Sequence, residues 1–439
     1  MLKFLVGVVM IIFGFGATLF WDPIWGLYFF SLLSHVRLEQ LSQSYWLPLR
    51  VPIVIAVLTM LLYIVSPKYP QKFRKWPAEV WLFGLMVLGM ALGSMTAVFN
   101  HDLAWTLTFD YLKYWIFFIM LIQMIDSKEK LDKFHWVMIL SAVWLVYRAY
   151  DLRGTTGLRF ENLGGGNVAD SNHYSAALVI LFPFVFQKTF SSNRRIAIGA
   201  AVLCFGMVMA ILIAISRGGL LGLVALAILI FVNVKKRRFM NITILAAVGI
   251  IAFSFANGSE IERLSSIFGA ATGESRDDSA QSRLDYWSLA YELFKEHPIL
   301  GVGPGNFMYY SGYLVMGRPY GQSGQVTHSL WFELLSQGGL IVCVPFVIMV
   351  LRFFKNTRRI ARAYTAEGNM EMALYARIPM IALAAFFVPA TFLDRSVYEP
   401  MYWCIGLGVV HRYLFDATHP SRSRSGAHVP AVSGAPAPS

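Results

Sequence analysis

The chain has 439 residues, 57% of them hydrophobic and only 14% charged, with a mean hydropathy of +0.56. A soluble chain of this length carries roughly a quarter charged residues, so an ordinary soluble enzyme is excluded and one polytopic α-helical membrane body is expected. The net charge of +12 sits in loops between apolar runs and forms no basic stripe with interleaved aromatics, which speaks against nucleic acid and for contact with anionic membrane lipids.

Spans of about 20 apolar residues fall near 3–20, 51–66, 78–99, 104–125, 134–150, 173–190, 196–215, 218–234, 240–256, 329–354, 377–393 and 400–416. That is an all-α fold of about twelve transmembrane helices. The first run, MLKFLVGVVMIIFGFGATLF, lacks a small-x-small cleavage site and reads as an uncleaved span. The apolar stretch 24–36 is short and reads as an interfacial or re-entrant piece. The chain then divides into N-terminal helices (1–256), an outer loop with an amphipathic helix (257–328), C-terminal helices (329–417) and a disordered Pro/Ser/Ala/Gly-rich tail (418–439).

Charge sets the orientation. The basic loops KYPQKFRK (68–75), DSKEKLDK (126–133), SSNRR (191–195), KKRR (235–238) and FKNTRRIAR (354–362) share one side, which the positive-inside rule makes cytoplasmic. Both termini are then expected in the cytoplasm. The opposite face carries Arg37, Arg50, Arg153, Arg159, Arg217, Arg263, Arg276, Arg283, Arg318 and Arg395, with Lys295 the lone lysine. Arginine on the translocated side opposes the usual bias and suits bidentate grip on phosphate. A phosphate-bearing substrate handled from outside is expected.

Lys113 lies inside the span TFDYLKYWIFF near Asp110; it is either functional or a snorkelling side chain. The outer loop TTGLRFENLGGGNVADSNH holds Arg159, a candidate substrate contact. Asp170, Ser171 or Asn172 in it are better read as the N-cap of the next helix. Arg217 fills the short outer turn ISRGGLLGL. It is either an anion ligand beside free helix N–H groups or an interfacial anchor.

Residues 280–296 read as a helix with Trp287, Ala290, Tyr291 and Phe294 on the apolar face and Asp285, Ser288, Glu292 and Glu296 opposite. Arg283 falls on the apolar side, where it needs a partner or a cavity. The glycines of HPILGVGPGNF permit tight turns or close approach. Tyr286, Trp287, Tyr309 and Tyr310 are either core or stacking surfaces for sugar rings. In THSLWFELLSQGGL, Thr327 is a candidate N-cap that places His328 in the first helical turn. There the helix dipole and nearby arginines disfavour imidazolium. A neutral imidazole is a competent proton acceptor; the plainer alternative is a histidine bonded to a loop carbonyl. Arg395 joins the last two spans, with Asp394 as its neighbouring partner. The three cysteines, Cys204, Cys343 and Cys404, lie in apolar runs and read as core. No zinc spacing, Walker loop or D-x-D triplet occurs, so no metal ligand set and no cofactor are expected.

The segments RFENLGGGNVADSNHYSAALVILFPF (159–184), ISRGGLLGL (215–223), SRLDYWSLAYELFKEHPILGVGPGNF (282–307) and THSLWFELLSQGGL (327–340), in this order, resemble the bacterial O-antigen ligase family. That family is related to O-linked oligosaccharyltransferases and polysaccharide polymerases. The resemblance implies a glycosyltransferase-C-like membrane fold in the inner membrane with a periplasmic site. It implies a metal-independent transfer of a glycan from undecaprenyl diphosphate to a sugar hydroxyl of lipid A–core oligosaccharide. The family histidine matches His328, and its loop and turn arginines match Arg283 and Arg217. Arg159 and Arg395 are lesser candidates. Inversion at the sugar carbon follows from direct in-line attack. A polymerase or a protein O-oligosaccharyltransferase uses the same donor chemistry. A lipid-linked glycan transporter is the rival of another class, and it predicts charges in repeat-related positions that the chain does not display.

Overall fold

The structure, a computed structural model, describes residues 2–36, 51–70, 73–152, 170–214, 216–234, 278–394, 396 and 398–419. Among these residues there are fourteen α-helices. They are α1 (Leu2–Phe20), α2 (Ile24–Leu33), α3 (Val51–Val65), α4 (Ala78–Met95), α5 (His101–Met124), α6 (Lys128–Leu152), α7 (Ser171–Phe186), α8 (Arg194–Ile213), α9 (Arg217–Asn233), α10 (Asp278–Glu296), α11 (Phe307–Leu314), α12 (Leu330–Ala366), α13 (Met370–Ala390) and α14 (Glu399–Thr418). Polar side chains start many of them by accepting orphan backbone N–H groups. Asn100 accepts from Leu103, Asn193 from Arg195, Ser216 from Gly219 and Asn369 from Met372. Five helices, α4, α5, α8, α12 and α13, are long and apolar enough to cross a membrane; α1, α2, α3 and α9 are apolar but shorter. The expected span 240–256, the loop segment 257–277 and the tail beyond 419 lie outside the described residues.

The helices alternate in direction, so one end of the bundle collects helix starts. Near that end lie Asp170, Arg217, His328 and Glu399. At the other end, buried Glu79 of α4 ties α12 and α14 together through Arg352 (3.2 Å) and Arg412 (3.5 Å). Lys188 there bonds to Asp132.

The segment 24–36 departs from expectation. It forms α2, a full member of the bundle. At its start Asp22 accepts from the Tyr69 hydroxyl (2.7 Å), and Tyr28 donates to the Lys130 carbonyl (2.8 Å). Beyond its end Ser34 donates to Glu399 (3.0 Å). Helix α1 packs antiparallel to it, with Gly14 against Phe29 and Thr18 against Gly26. The start of α1 therefore lies at the Glu399 end, while α14 finishes at the Glu79 end. The expectation that both termini share one side is corrected on this point. Hydropathy counts length, and a ten-residue helix covers only about 15 Å. Close glycine contacts keep so short a helix inside the bundle.

Two glycine motifs explain each other. Helix α12 is broken at Gly339, whose φ is +59°, a conformation that costs other residues strain. The turn 298–305 docks into this break. Leu340 donates to the Pro298 carbonyl (2.8 Å), Val302 to Ser336 (2.9 Å) and Gly303 to Gln337 (3.1 Å). Gly301, Gly303 and Gly305 all have positive φ. A Cβ on Gly339 would collide with the Ile299 backbone. The break frees carbonyls and N–H groups that the turn then satisfies, and it fixes the direction of the first turns of α12, just after His328.

Candidate active site

Ser329, not Thr327, stands at the N-cap position of α12, without a side-chain capping bond. His328 therefore stands outside the helix, in the left-handed region with φ +51°. Few residue types adopt it, although histidine is enriched there. Two contacts to one carboxylate hold it. The His328 backbone N–H donates to Asp394 Oδ2 (3.1 Å), and the Thr327 hydroxyl donates to Asp394 Oδ1. The same carboxylate stands 3.9 Å from His328 Nδ1. That is a charge contact rather than a hydrogen bond. With Nδ1 toward Asp394, Nε2 is the nitrogen left for chemistry.

The loop that presents Asp394 is pinned on both flanks. Trp331 donates to the Thr391 hydroxyl (3.0 Å), and the Ser396 N–H donates to Glu333 (3.0 Å). Tyr402 then caps the Ser396 carbonyl (2.9 Å). Asp394 was expected only as a partner for Arg395. Its described partners are instead Thr327 and His328. Arg395 itself and Arg159 lie outside the described residues.

Helix α10 lies across the start of α12. Trp287 stacks on Phe332 (5.3 Å) and donates to the Thr327 carbonyl (3.1 Å). The buried stripe is Tyr286, Ala290 and Leu293, one residue out of step with the expected face; Tyr291 is 51% exposed. Tyr286 is thereby core, its ring 6.2 Å from that of His328. Arg283 precedes Tyr286 by three residues and falls on the same line, half-buried. Its charge reaches His328.

The starts of α7 and α9 complete this end. Asp170 caps α7, accepting from the Asn172 and His173 N–H groups (2.8 and 2.9 Å) and from His173 Nδ1 (2.8 Å). These contacts hold its carboxyl well below the usual range against the opposing effect of burial. Asn172 accepts from the Ser216 hydroxyl (2.8 Å), which also caps α9 at Gly219 (3.0 Å). Arg217 is the exposed first residue of α9. The next residue, Gly218, packs on Pro389 of α13, just before the Asp394 loop. Burial pushes the His328 imidazole below its ordinary value. Arg283 and His173 push the same way, and Asp394 and Asp170 oppose. The neutral imidazole is favoured, as expected, but chiefly through burial rather than the helix dipole.

Lys113 stands apart. It pairs with Asp110 at a cavity of about 390 Å³ lined by Phe30, Leu33, Ser34, Val57 and Glu399. Among the described residues no three His, Cys, Asp or Glu side chains group as a metal-ligand set.

Residues 200–347 match the family model described as O-antigen ligase. No curated protein matches the chain. The matched segment contains Arg217, Arg283 and His328 of the five site residues expected from sequence; Arg159 and Arg395 fall outside it. Asp394, Asp170 and His173 lie outside it. The apolar helices fit a multi-pass membrane protein, and its residues 200–347 are similar to the O-antigen ligase family.

Proposed function

We propose that this chain is an inner-membrane glycosyltransferase that moves a glycan from undecaprenyl diphosphate to a sugar hydroxyl of lipid A–core oligosaccharide on the periplasmic face. The twelve or so crossings and the long outer loop belong to this reading, with the basic loops in the cytoplasm. His328 is the general base. Its neutral imidazole takes the proton of the acceptor hydroxyl, and Asp394 stabilises the imidazolium that forms. A positioned base contributes about 10²–10⁴-fold.

The leaving group is a lipid diphosphate whose charge grows as the sugar departs. Arg217 and Arg283 neutralise it, with Arg159 and Arg395 as further candidates. Each charge-assisted contact contributes roughly 1.5–3 kcal/mol. Fixed guanidinium groups aimed at developing charge replace a divalent cation in this role. Attack by the acceptor oxygen from the face opposite the diphosphate inverts the sugar carbon.

The observation that carries this reading is His328 held against Asp394 with the Arg283 charge acting on its ring. The test is transfer by purified protein, with EDTA, from a lipid-linked glycan to three separate acceptors: lipid A–core, a pilin-like protein and a second lipid-linked glycan. Sugar on lipid A–core is expected. Sugar on either of the others alone names an oligosaccharyltransferase or a polymerase.

A further inference from the structure

Beside the site, at the same end, Phe99 in the turn between α4 and α5 is the centre of a cluster of five aromatic rings. Tyr309 lies parallel to it with ring centres 5.7 Å apart. Tyr310 stands edge-on at 4.8 Å, and Tyr320 tilts against it at 4.8 Å. Tyr313 meets Tyr320 edge-on at 5.7 Å. The rings come from three segments, and each segment is fixed. Buried Asn306 accepts from the Phe99 and Asn100 N–H groups (3.1 and 2.9 Å), and Asn100 donates to the Tyr309 hydroxyl (2.6 Å). The strap 315–326 is laid on α11. Gly324 donates to the Met308 carbonyl (2.7 Å) and Arg318 to Gly312 (2.9 Å). A Cβ on Gly312 would collide with the strap backbone.

The cluster is held rigid yet left open. Tyr320 is 67% exposed and Tyr313 49%. Contiguous exposed aromatic surface of this kind marks a binding site. We propose that it is a glycan-binding shelf for pyranose rings. The apolar C–H face of a sugar lies on the Tyr320 and Tyr313 rings, and its hydroxyls meet the tyrosine hydroxyls and the neighbouring Gln322. Tyrosine suits this ligand because it joins a flat apolar face to a polar rim.

Lipid is the competing occupant, and the strap argues against it. Arg318, Gln322, Ser323 and Gln325 are all exposed there. Irregular backbone of this kind does not face hydrocarbon. The strap also leads straight to the site: Tyr320 precedes His328 by eight residues, at most about 28 Å of extended chain. A sugar chain on the shelf therefore lies within a few units of the reacting centre. The proposal rests on the glycosyltransferase reading above and adds to it a surface for the sugar chain, separate from the diphosphate ligands. Donor glycan and acceptor oligosaccharide both offer pyranose rings.

The experiment uses the full chain in lipid nanodiscs, as wild type, Tyr320→Ala and Tyr320→Trp. Kinetics are measured with donors of one or several repeat units, and with full or truncated acceptors. Saturation-transfer NMR reports binding of the free oligosaccharide. Tyr320→Ala is expected to raise KM about tenfold for the long member of one series, the effect of losing one stacked ring. The short member and kcat stay unchanged, and Tyr320→Trp restores the KM. The series that responds names the bound chain. A KM that rises equally for single-sugar donor and truncated acceptor reports a membrane or folding effect and overturns the shelf, as does an unchanged KM throughout. If the wild type transfers no sugar, the proposed function fails on its own. Saturation transfer that is lost in Tyr320→Ala and kept in Tyr320→Trp still supports the shelf, and its absence from the wild type ends it.

Discussion

His328 is held in an unfavourable backbone conformation by a carboxylate that also touches its ring. Positions of this kind persist only where surrounding contacts impose them. Here Thr327, Asp394 and the half-buried Trp331–Thr391 pair do so. The pH profile follows from the imidazole's surroundings. Burial and Arg283 favour the neutral form, so the acid limb of kcat/KM is expected below the ordinary histidine value of about 6.5. Arg283→Gln removes a positive neighbour and moves that limb to higher pH. Asp394→Asn removes a negative one, moves the limb lower and reduces kcat. A limb indifferent to both substitutions contradicts the assignment. As candidates, Arg283 stood out in sequence as a charge in an apolar pattern and His328 as the residue that opens a helix after the outer loop. Asp394 was not, since its bond to His328 spans 66 residues and adjacent Arg395 offered an easier partner.

At the scale of elements, the break in α12 shapes the helix that follows His328. Gly339→Ala introduces both a left-handed alanine and a collision with Ile299. The backbone strain alone costs on the order of 1–3 kcal/mol. Thermal unfolding in detergent is expected to fall by several degrees, with weaker transfer; an unchanged Tm and rate contradict the docking role. The glycines themselves were visible in sequence as sites of close approach. That SQGGL and GVGPG approach each other was not, because neither motif encodes its partner. Helix α10 shows the same limit. Periodicity gave its extent and the position of Arg283, but the large rings misled the choice of face. Exposed Tyr291 packs on half-buried Phe294 (6.4 Å) and under Lys295 (5.2 Å). Tyr286 and Leu293 take the interior.

At the scale of the molecule, hydropathy located the main helices, and it failed where length was the only guide. A ten-residue α2 is below the usual span, yet glycine contacts with α1 and α3 seat it in the bundle. Its presence reverses α1. Tags at the two ends of the chain are therefore expected on opposite faces of the membrane: protease added to sealed inverted vesicles removes one tag and spares the other. Removal of both contradicts this path for the chain.

The starts of α9 and α12, helix α10 and the loop after α13 bring Arg217, His328, Arg283 and Asp394 to one end, and the account stands on the imidazole among them. Its most direct test is the single-turnover rate of glycan transfer from a lipid diphosphate donor by His328→Ala, with wild type and melting curves alongside. The expected result is a rate about 10²–10⁴-fold lower with unchanged melting. Transfer near the wild-type rate by an equally stable variant would contradict the role given to His328.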